Sequence, residues 1–263
     1  MKLLLILPAF GLLWPAAPPS AATSAAPRAV QETASQVYER MTAEASAAHK
    51  AWRANVAKLR KAAQESSEPF PDEAKISPYV RLIPKFLAAA DTYAGTEDAV
   101  PFLTWVVQNG FGVDDEQAKE SFRKLVHVHV GSPQLEPLGA MLDRLSYQFK
   151  EKEAASLLAT IEKNSPSGTL RAWAVYTRCS ATLESAAIDS DEFLKAKSEV
   201  LAALEKADDR RLASRAKGQI DVRERFSIGV VAPDITGIDL DGTEFALSDY
   251  KGKVLFVDFW GDW

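Results

Sequence analysis

Few side chains in this 263-residue sequence have a type and spacing that suit catalysis. His127 and His129 lie two positions apart, so on the helix that their neighbours predict they would point to different faces. We expect one core and one surface histidine rather than a metal pair. Cys179 lies in an apolar predicted helix, where we expect it to be a small buried apolar side chain. The sequence contains no phosphate-binding glycine loop, HExxH zinc helix or GxSxG elbow, and it predicts no metal or cofactor.

One carboxylate near the end of the sequence has an unusual setting. Asp258 interrupts residues 253–260, which are otherwise almost continuously apolar. Such a run is typical of a strand buried on both faces of a sheet. A buried carboxylate is costly unless it is paired or functional. We therefore expect a central strand here, with Asp258 buried and either paired or functional.

Strand and turn signals precede that run. The dipeptide Asp241-Gly242 separates two short alternating stretches, residues 235–240 and 243–247. It favours a β-hairpin because both turn residues must accept positive φ. Residues 248–252 then indicate a turn or a single helical turn. The last 36 residues or so are thus expected to begin a fold that contains β-structure.

This C-terminal stretch resembles the opening of a redoxin domain of the thioredoxin-like superfamily. That superfamily includes alkyl hydroperoxide reductases, thiol-specific antioxidants and exported thiol–disulfide oxidoreductases. Four signatures occur in the family's order between Ile228 and Trp263: Gly229-x-x-Ala232-Pro233-Asp234, Asp239-Leu240-Asp241-Gly242, residues 247–253 and residues 257–263.

The resemblance implies a thiol site directly after the Phe-Trp-x-x-Trp run. There the family carries Cys-x-x-Cys at a helix N-terminus, which lowers the pKa of the first thiol, while the second thiol resolves the mixed disulfide. The resemblance also implies that Asp258 moves protons for the second cysteine and that Trp260 and Trp263 flank the thiols. Core packing is the alternative role for all three residues.

The sequence departs from the family pattern at its last residue. Trp263 stands directly before the expected first cysteine, and Cys179 is the one cysteine of the chain. We therefore expect this truncated polypeptide to be inactive. A fragment or disrupted gene is one explanation, and a UGA codon read as selenocysteine is another. The nucleotide sequence downstream would distinguish them.

The N-terminus has the three-part layout of a secretory signal peptide. Lys2 supplies the positive charge, residues 3–14 form an apolar run, and small residues extend to Ala26. That run is shorter than the roughly 20 residues that a spanning helix requires. We expect residues 1–26 to be a signal peptide of an exported protein in the periplasm or cell envelope. An uncleaved membrane anchor is the alternative.

Helical periodicity dominates residues 27–225, the second expected domain. Apolar residues recur at steps of three and four from Val30 to Ala63, which predicts one long amphipathic helix. Shorter amphipathic stretches follow without a fixed repeat period. The predicted fold class is therefore mainly α. It consists of a helical-hairpin domain, with a tetratricopeptide-like array as one form, followed from residue 226 by an incomplete thioredoxin-like α/β fold (a β-hairpin and one central strand).

Charge and composition limit the functions that fit. The net charge of −5 disfavours nucleic-acid binding, which requires a basic face. One function that fits is an exported redoxin acting on protein thiols or disulfides, or on peroxide, with a protein partner for the helical domain. The other is a non-enzymatic helical scaffold or partner-binding protein with a vestigial redoxin segment.

Overall fold

The computed structural model describes residues 32–66 and 76–258. The expected signal peptide (residues 1–26), Trp260 and Trp263 lie outside these residues. The helices of the described residues are α1 (Ala34–Ser66), α2 (Tyr79–Thr92), α3 (Val100–Gly110), α4 (Asp115–Val128), α5 (Leu145–Gln148), α6 (Glu151–Asn164), α7 (Gly168–Ser185), α8 (Asp191–Leu204) and α9 (Arg210–Phe226). Three 3₁₀ segments cover Glu97–Ala99, Pro133–Arg144 and Leu247–Tyr250.

The mainly α class is confirmed, and so is the hairpin. Strands β1 (Thr236–Ile238) and β2 (Glu244–Ala246) pair antiparallel and form a two-stranded sheet. The long predicted helix is confirmed as α1, which buries Met41, Ala45 and Val56 from the predicted apolar stripe. Helix α9 is absent from the sequence-based prediction. None of the helices in residues 32–66 and 76–258 is long and apolar enough to span a membrane.

Side-chain caps fix where several helices begin. Asp114 accepts a hydrogen bond from the Gln117 amide before α4, and Ser167 accepts one from Leu170 in α7. Ser190 caps α8 in the same way, and Asp209 accepts from two amides of α9. Each cap satisfies a backbone N–H that has no partner within its helix. Short polar residues that precede an apolar repeat therefore fix the residue at which each of these helices begins.

The core of the helical domain is apolar and rich in aromatic rings. Phe102 and Val106 of α3 are fully buried, and Phe86 of α2 stacks on Trp105 with ring centroids 3.7 Å apart. Most of the packing is between successive elements, including α3 with α4, α6 with α7, and α7 with α8. The segment Pro133–Arg144 packs on α7 at Gly139, where an added Cβ would lie 2.9 Å from Cγ of Trp173. A helical domain of successive packed helices thus precedes the hairpin.

Candidate functional site

The turn of the hairpin is held by the side chain of Asp239. Its Oδ1 atom accepts hydrogen bonds from the backbone amides of Asp241 (2.9 Å) and Thr243 (2.8 Å). Gly242 has a φ of +81°, a left-handed conformation that favours glycine. These contacts explain why Asp239, Asp241 and Gly242 occur together in this signature, because they specify one tight connection between β1 and β2.

A second aspartate joins the chain before the hairpin to the turn after it. Asp234 accepts hydrogen bonds from the Ser248 amide (2.9 Å) and from Ser248 Oγ (2.7 Å). These bonds hold the pKa of the Asp234 carboxyl below its ordinary value. Nearby, the Leu247 amide donates to the Ile235 carbonyl at 3.0 Å. We name this the Asp234–Ser248 contact, and it connects the first redoxin signature to the third.

A third aspartate shapes the turn that leads toward the expected thiol site. Asp249 Oδ2 accepts a hydrogen bond from the Ala246 amide at 2.8 Å, at the start of the 3₁₀ segment Leu247–Tyr250. The expected turn at residues 248–252 is therefore confirmed. The Lys253 ammonium then lies 5.5 Å from the centroid of the Tyr250 ring, a cation–π distance. The turn directs the chain into the apolar run.

The predicted central strand is wrong for the described part of that run. Residues 254–258 adopt no strand, and Val254 and Phe256 are 102% and 93% exposed. Asp258 is also exposed, so the expectation of a buried carboxylate is wrong as well. The physical reason is the lack of neighbours. A strand needs a paired backbone on each side and covered faces, and no described strand lies beside these residues.

Of the three residues predicted for the site, the structure describes one. Asp258 is exposed, and Trp260 and Trp263 lie outside the described residues. The structure orders the hairpin and turn that precede them. Their roles beside a thiol pair stay predictions.

Cys179 of α7 is buried, with 4% of its surface exposed, as predicted. Burial raises the pKa of its thiol above the ordinary value, although the neighbouring Arg178 guanidinium opposes this effect. Arg178 Nη1 lies 3.6 Å from the sulfur, and Glu199 Oε2 lies 3.9 Å from it. A nucleophilic cysteine requires a lowered pKa and access to its substrate. Cys179 has neither property.

The two histidines also match the prediction. His127 is exposed, whereas His129 is buried with 7% of its surface exposed. Within residues 32–66 and 76–258 there is no group of three or more histidine, cysteine or carboxylate side chains that could hold a metal ion.

Sequence reasoning missed a cleft in the helical domain. This cleft, which we name the α6–α7–α9 cleft, has a volume of about 640 Å³. Tyr176 of α7 donates a hydrogen bond to Gln219 of α9 at its wall (2.9 Å), and Arg215 of α9 pairs with Asp143 (2.7 Å). The residues come from four separate stretches of the chain. Because no local spacing connects them, the sequence carried no signal for the cleft.

Comparison with known proteins yields short and significant matches. A 47-residue stretch is 40% identical to the thiol-disulfide oxidoreductase ResA of Bacillus cereus (strain ATCC 10987 / NRS 248), covering 18% of this chain and 27% of that protein. A 37-residue stretch is 51% identical to ResA of Geobacillus kaustophilus (strain HTA426), covering 14% and 21% of the two chains. ResA of Geobacillus thermodenitrificans (strain NG80-2) is 49% identical over 37 residues.

The chain spans about a quarter of the length of these curated relatives. No protein-family model matches it, and no solved structure gives a significant match. The matched stretches are 37–47 residues long, and the four redoxin signatures occupy roughly 36 residues, from Ile228 to Trp263. Over short stretches, at 40–51% identity, this chain is thus similar to thiol-disulfide oxidoreductases, a likeness that supports a thioredoxin-like redoxin family for the matched part.

Proposed function

We propose that this chain represents an exported thiol–disulfide oxidoreductase in which a helical domain precedes the redoxin domain. The observation that carries the proposal is the 40–51% identity of a short stretch to proteins named thiol-disulfide oxidoreductase. The ordered turns around Asp234 and Asp239 support it, because they give the redoxin signatures a structural purpose. Protein thiols or disulfides are the proposed substrates, and peroxide is the alternative substrate.

The proposed chemistry is thiol–disulfide exchange. A thiolate attacks a sulfur of the substrate disulfide, the substrate's other sulfur leaves as a thiolate, and a second enzyme thiol then displaces the first substrate sulfur. The enzyme pair is oxidised as the substrate is reduced. Within this proposal Asp258 exchanges protons with the pair, while Trp260 and Trp263 form the surrounding surface. That role requires neighbouring strands that cover Asp258 and bring it beside the thiol pair.

We also propose that the 263-residue polypeptide itself does not catalyse this exchange. The mechanism needs two thiols, and the sequence provides Cys179 alone. Its buried sulfur and raised pKa disfavour attack on a disulfide. An insulin-reduction assay with dithiothreitol, using the chain beside its Cys179→Ser variant, tests this point. Turnover by the chain above the uncatalysed rate would contradict it, and the Cys179→Ser variant would show whether that turnover depends on the buried thiol.

The family assignment needs a separate experiment. Appending Cys-x-x-Cys and the remaining part of a ResA redoxin domain after Trp263 should create a disulfide-reducing protein. The matched control carries Ser-x-x-Ser at the same positions. A chimera that folds but reduces insulin no faster than this control would refute the proposal.

A non-enzymatic, partner-binding role is the second candidate function. It is favoured by the α6–α7–α9 cleft, which lies in helices with their own apolar core. On this alternative, the helical domain binds its ligand whether or not a thiol pair follows it.

A further inference from the structure

The α6–α7–α9 cleft has the size of a ligand site. Its volume of about 640 Å³ lies within the roughly 300–1,000 Å³ that is usual for such sites. Along α6 it extends from Glu151 to Leu158. At 1.5 Å per helical residue this is about 10 Å, the length of about three residues of extended peptide. The cleft is thus long enough to hold a short stretch of extended chain.

The floor of the cleft is apolar and built from small side chains. Ala155 of α6 and Ala181 of α7 are exposed on it, beside the buried Ala154 and Leu158. Small side chains let an aliphatic group approach the helices closely. Tyr147 of α5 stands at the rim with 86% of its surface exposed. Exposed tyrosine is enriched in protein interfaces because its ring combines apolar area with a hydroxyl group.

The charges of the cleft favour a cationic ligand. Helices α6 and α7 are joined by three residues and run antiparallel, which brings Glu151 in the first turn of α6 near the end of α7 that carries Glu184. Neither carboxylate forms an ion pair within the described part of the chain. Arg144 is a cation on the wall with no such partner there.

The other two cations of the wall are already neutralised. Arg178 pairs with Glu162 (2.9 Å) and Glu199 (2.8 Å), and Arg215 pairs with Asp143 (2.7 Å). Two carboxylates therefore face one unpaired cation, and the local charge balance is negative. The balance favours a ligand that brings a positive group.

We propose that the α6–α7–α9 cleft binds an extended polypeptide segment through a lysine or arginine side chain. The aliphatic stem of that side chain packs on the alanine floor, and its charged group pairs with Glu151 and Glu184. The inference does not depend on the proposed redox function, because none of these residues belongs to the redoxin stretch.

The test is a titration of the ¹⁵N-labelled full chain, followed by NMR, with the blocked peptide acetyl-Ala-Ala-Lys-Ala-Ala-amide. Matched peptides carry norleucine or glutamate in place of lysine. We expect saturable shifts of the Ala155, Ala181 and Glu184 amides, with the lysine peptide binding about tenfold more tightly than the norleucine peptide, as one charge-assisted hydrogen bond provides. Equal binding of all three peptides, or shifts confined to other surfaces, would overturn the proposal.

Variants separate the cleft from the rest of the surface. Glu184→Gln combined with Glu151→Gln should weaken binding of the lysine peptide about tenfold. Ala181→Trp should abolish it by filling the floor. The control is Glu192→Gln, which removes an exposed carboxylate of α8 outside the cleft and should leave binding unchanged. Unweakened binding to the double variant and to Ala181→Trp would refute the assignment, whatever the thiol assays show.

Discussion

Two helical glycines should respond in opposite directions to the same substitution, alanine. Gly168 is the first residue of α7, and a Cβ added there would lie 3.1 Å from the carbonyl carbon of Lys206 and closer still to its oxygen. Carbon atoms normally approach to about 3.5–4.0 Å. Lys206 lies two residues beyond the end of α8, so the alanine methyl would push apart the two helices that meet there. For Gly218, in the middle of α9, no atom of the described residues lies within 4 Å of the added Cβ apart from the backbone of its own helix.

The magnitudes follow from these geometries. Overpacking costs about 1–3 kcal/mol, and alanine recovers at most about 1 kcal/mol of helix propensity over glycine. For Gly168→Ala we therefore expect a net loss of about 1–2 kcal/mol in the free energy of unfolding. In a domain of this size that corresponds to a melting temperature lower by about 2–8 °C. Gly218→Ala should instead gain about 0.5–1 kcal/mol.

Thermal and urea unfolding of the full chain, followed by circular dichroism at a wavelength that reports helix content, measures the change in stability of both variants. The reasoning fails if Gly168→Ala melts at or above the wild-type temperature, because the close approach of α7 to the Lys206 carbonyl would then not exist. Gly218→Ala is the matched control for helix propensity. A loss of stability in Gly218→Ala would show that the expected gain in helix propensity is wrong, rather than the expected clash at Gly168.

Three further outcomes are expected. Cys179 should react with a thiol reagent about tenfold or more slowly in the native chain than in urea, because burial both shields the sulfur and raises its pKa; equal rates would refute this. The pKa of the Asp234 carboxyl is lowered in the folded chain. The Asp234–Ser248 contact therefore stabilises the fold fully above the unfolded aspartate pKa of about 3.9. This stabilisation is lost as the pH falls through the lower pKa of the folded state. The Ser248 amide shift should therefore titrate below pH 4, and in Asp234→Asn it should stay flat. Arg178→Met should cost about 1 kcal/mol, since the guanidinium is 42% exposed and its pairs with Glu162 and Glu199 are partly screened; no change at low salt would contradict it.

Local patterns predicted the parts of the fold that local physics determines. The three- and four-residue steps of α1 reappear as the buried face at Met41, Ala45 and Val56. The dipeptide Asp241-Gly242 predicted a hairpin, and Gly242 has the positive φ that such a turn requires. The position of Cys179 in an apolar helix predicted its burial. Each of these features depends on residues close together in the sequence.

Features that depend on distant neighbours were not predicted. Helix α9 buries Leu212, Ala216 and Ile220 at steps of four, but its mean composition is polar and the pattern was overlooked. The α6–α7–α9 cleft joins side chains that are far apart in the sequence. The opposite error occurred at residues 254–258, where an apolar run predicted a buried strand and the described chain supplies no paired strand. The spacing of apolar residues indicates which secondary structure a segment favours. Burial of that segment also requires another element that packs against it.

The packing of successive helices also has a consequence for the order of folding. Most contacts of the helical domain join neighbours such as α3 and α4 or α7 and α8, so only short loops must close to form them. Low contact order of this kind gives fast folding. Chains also fold from the N-terminal side as they are made. The earlier helices can thus pack on one another before α9 and the residues that follow it have left the ribosome, and α9 then adds Leu212, Ala216 and Ile220 to a core that has already formed.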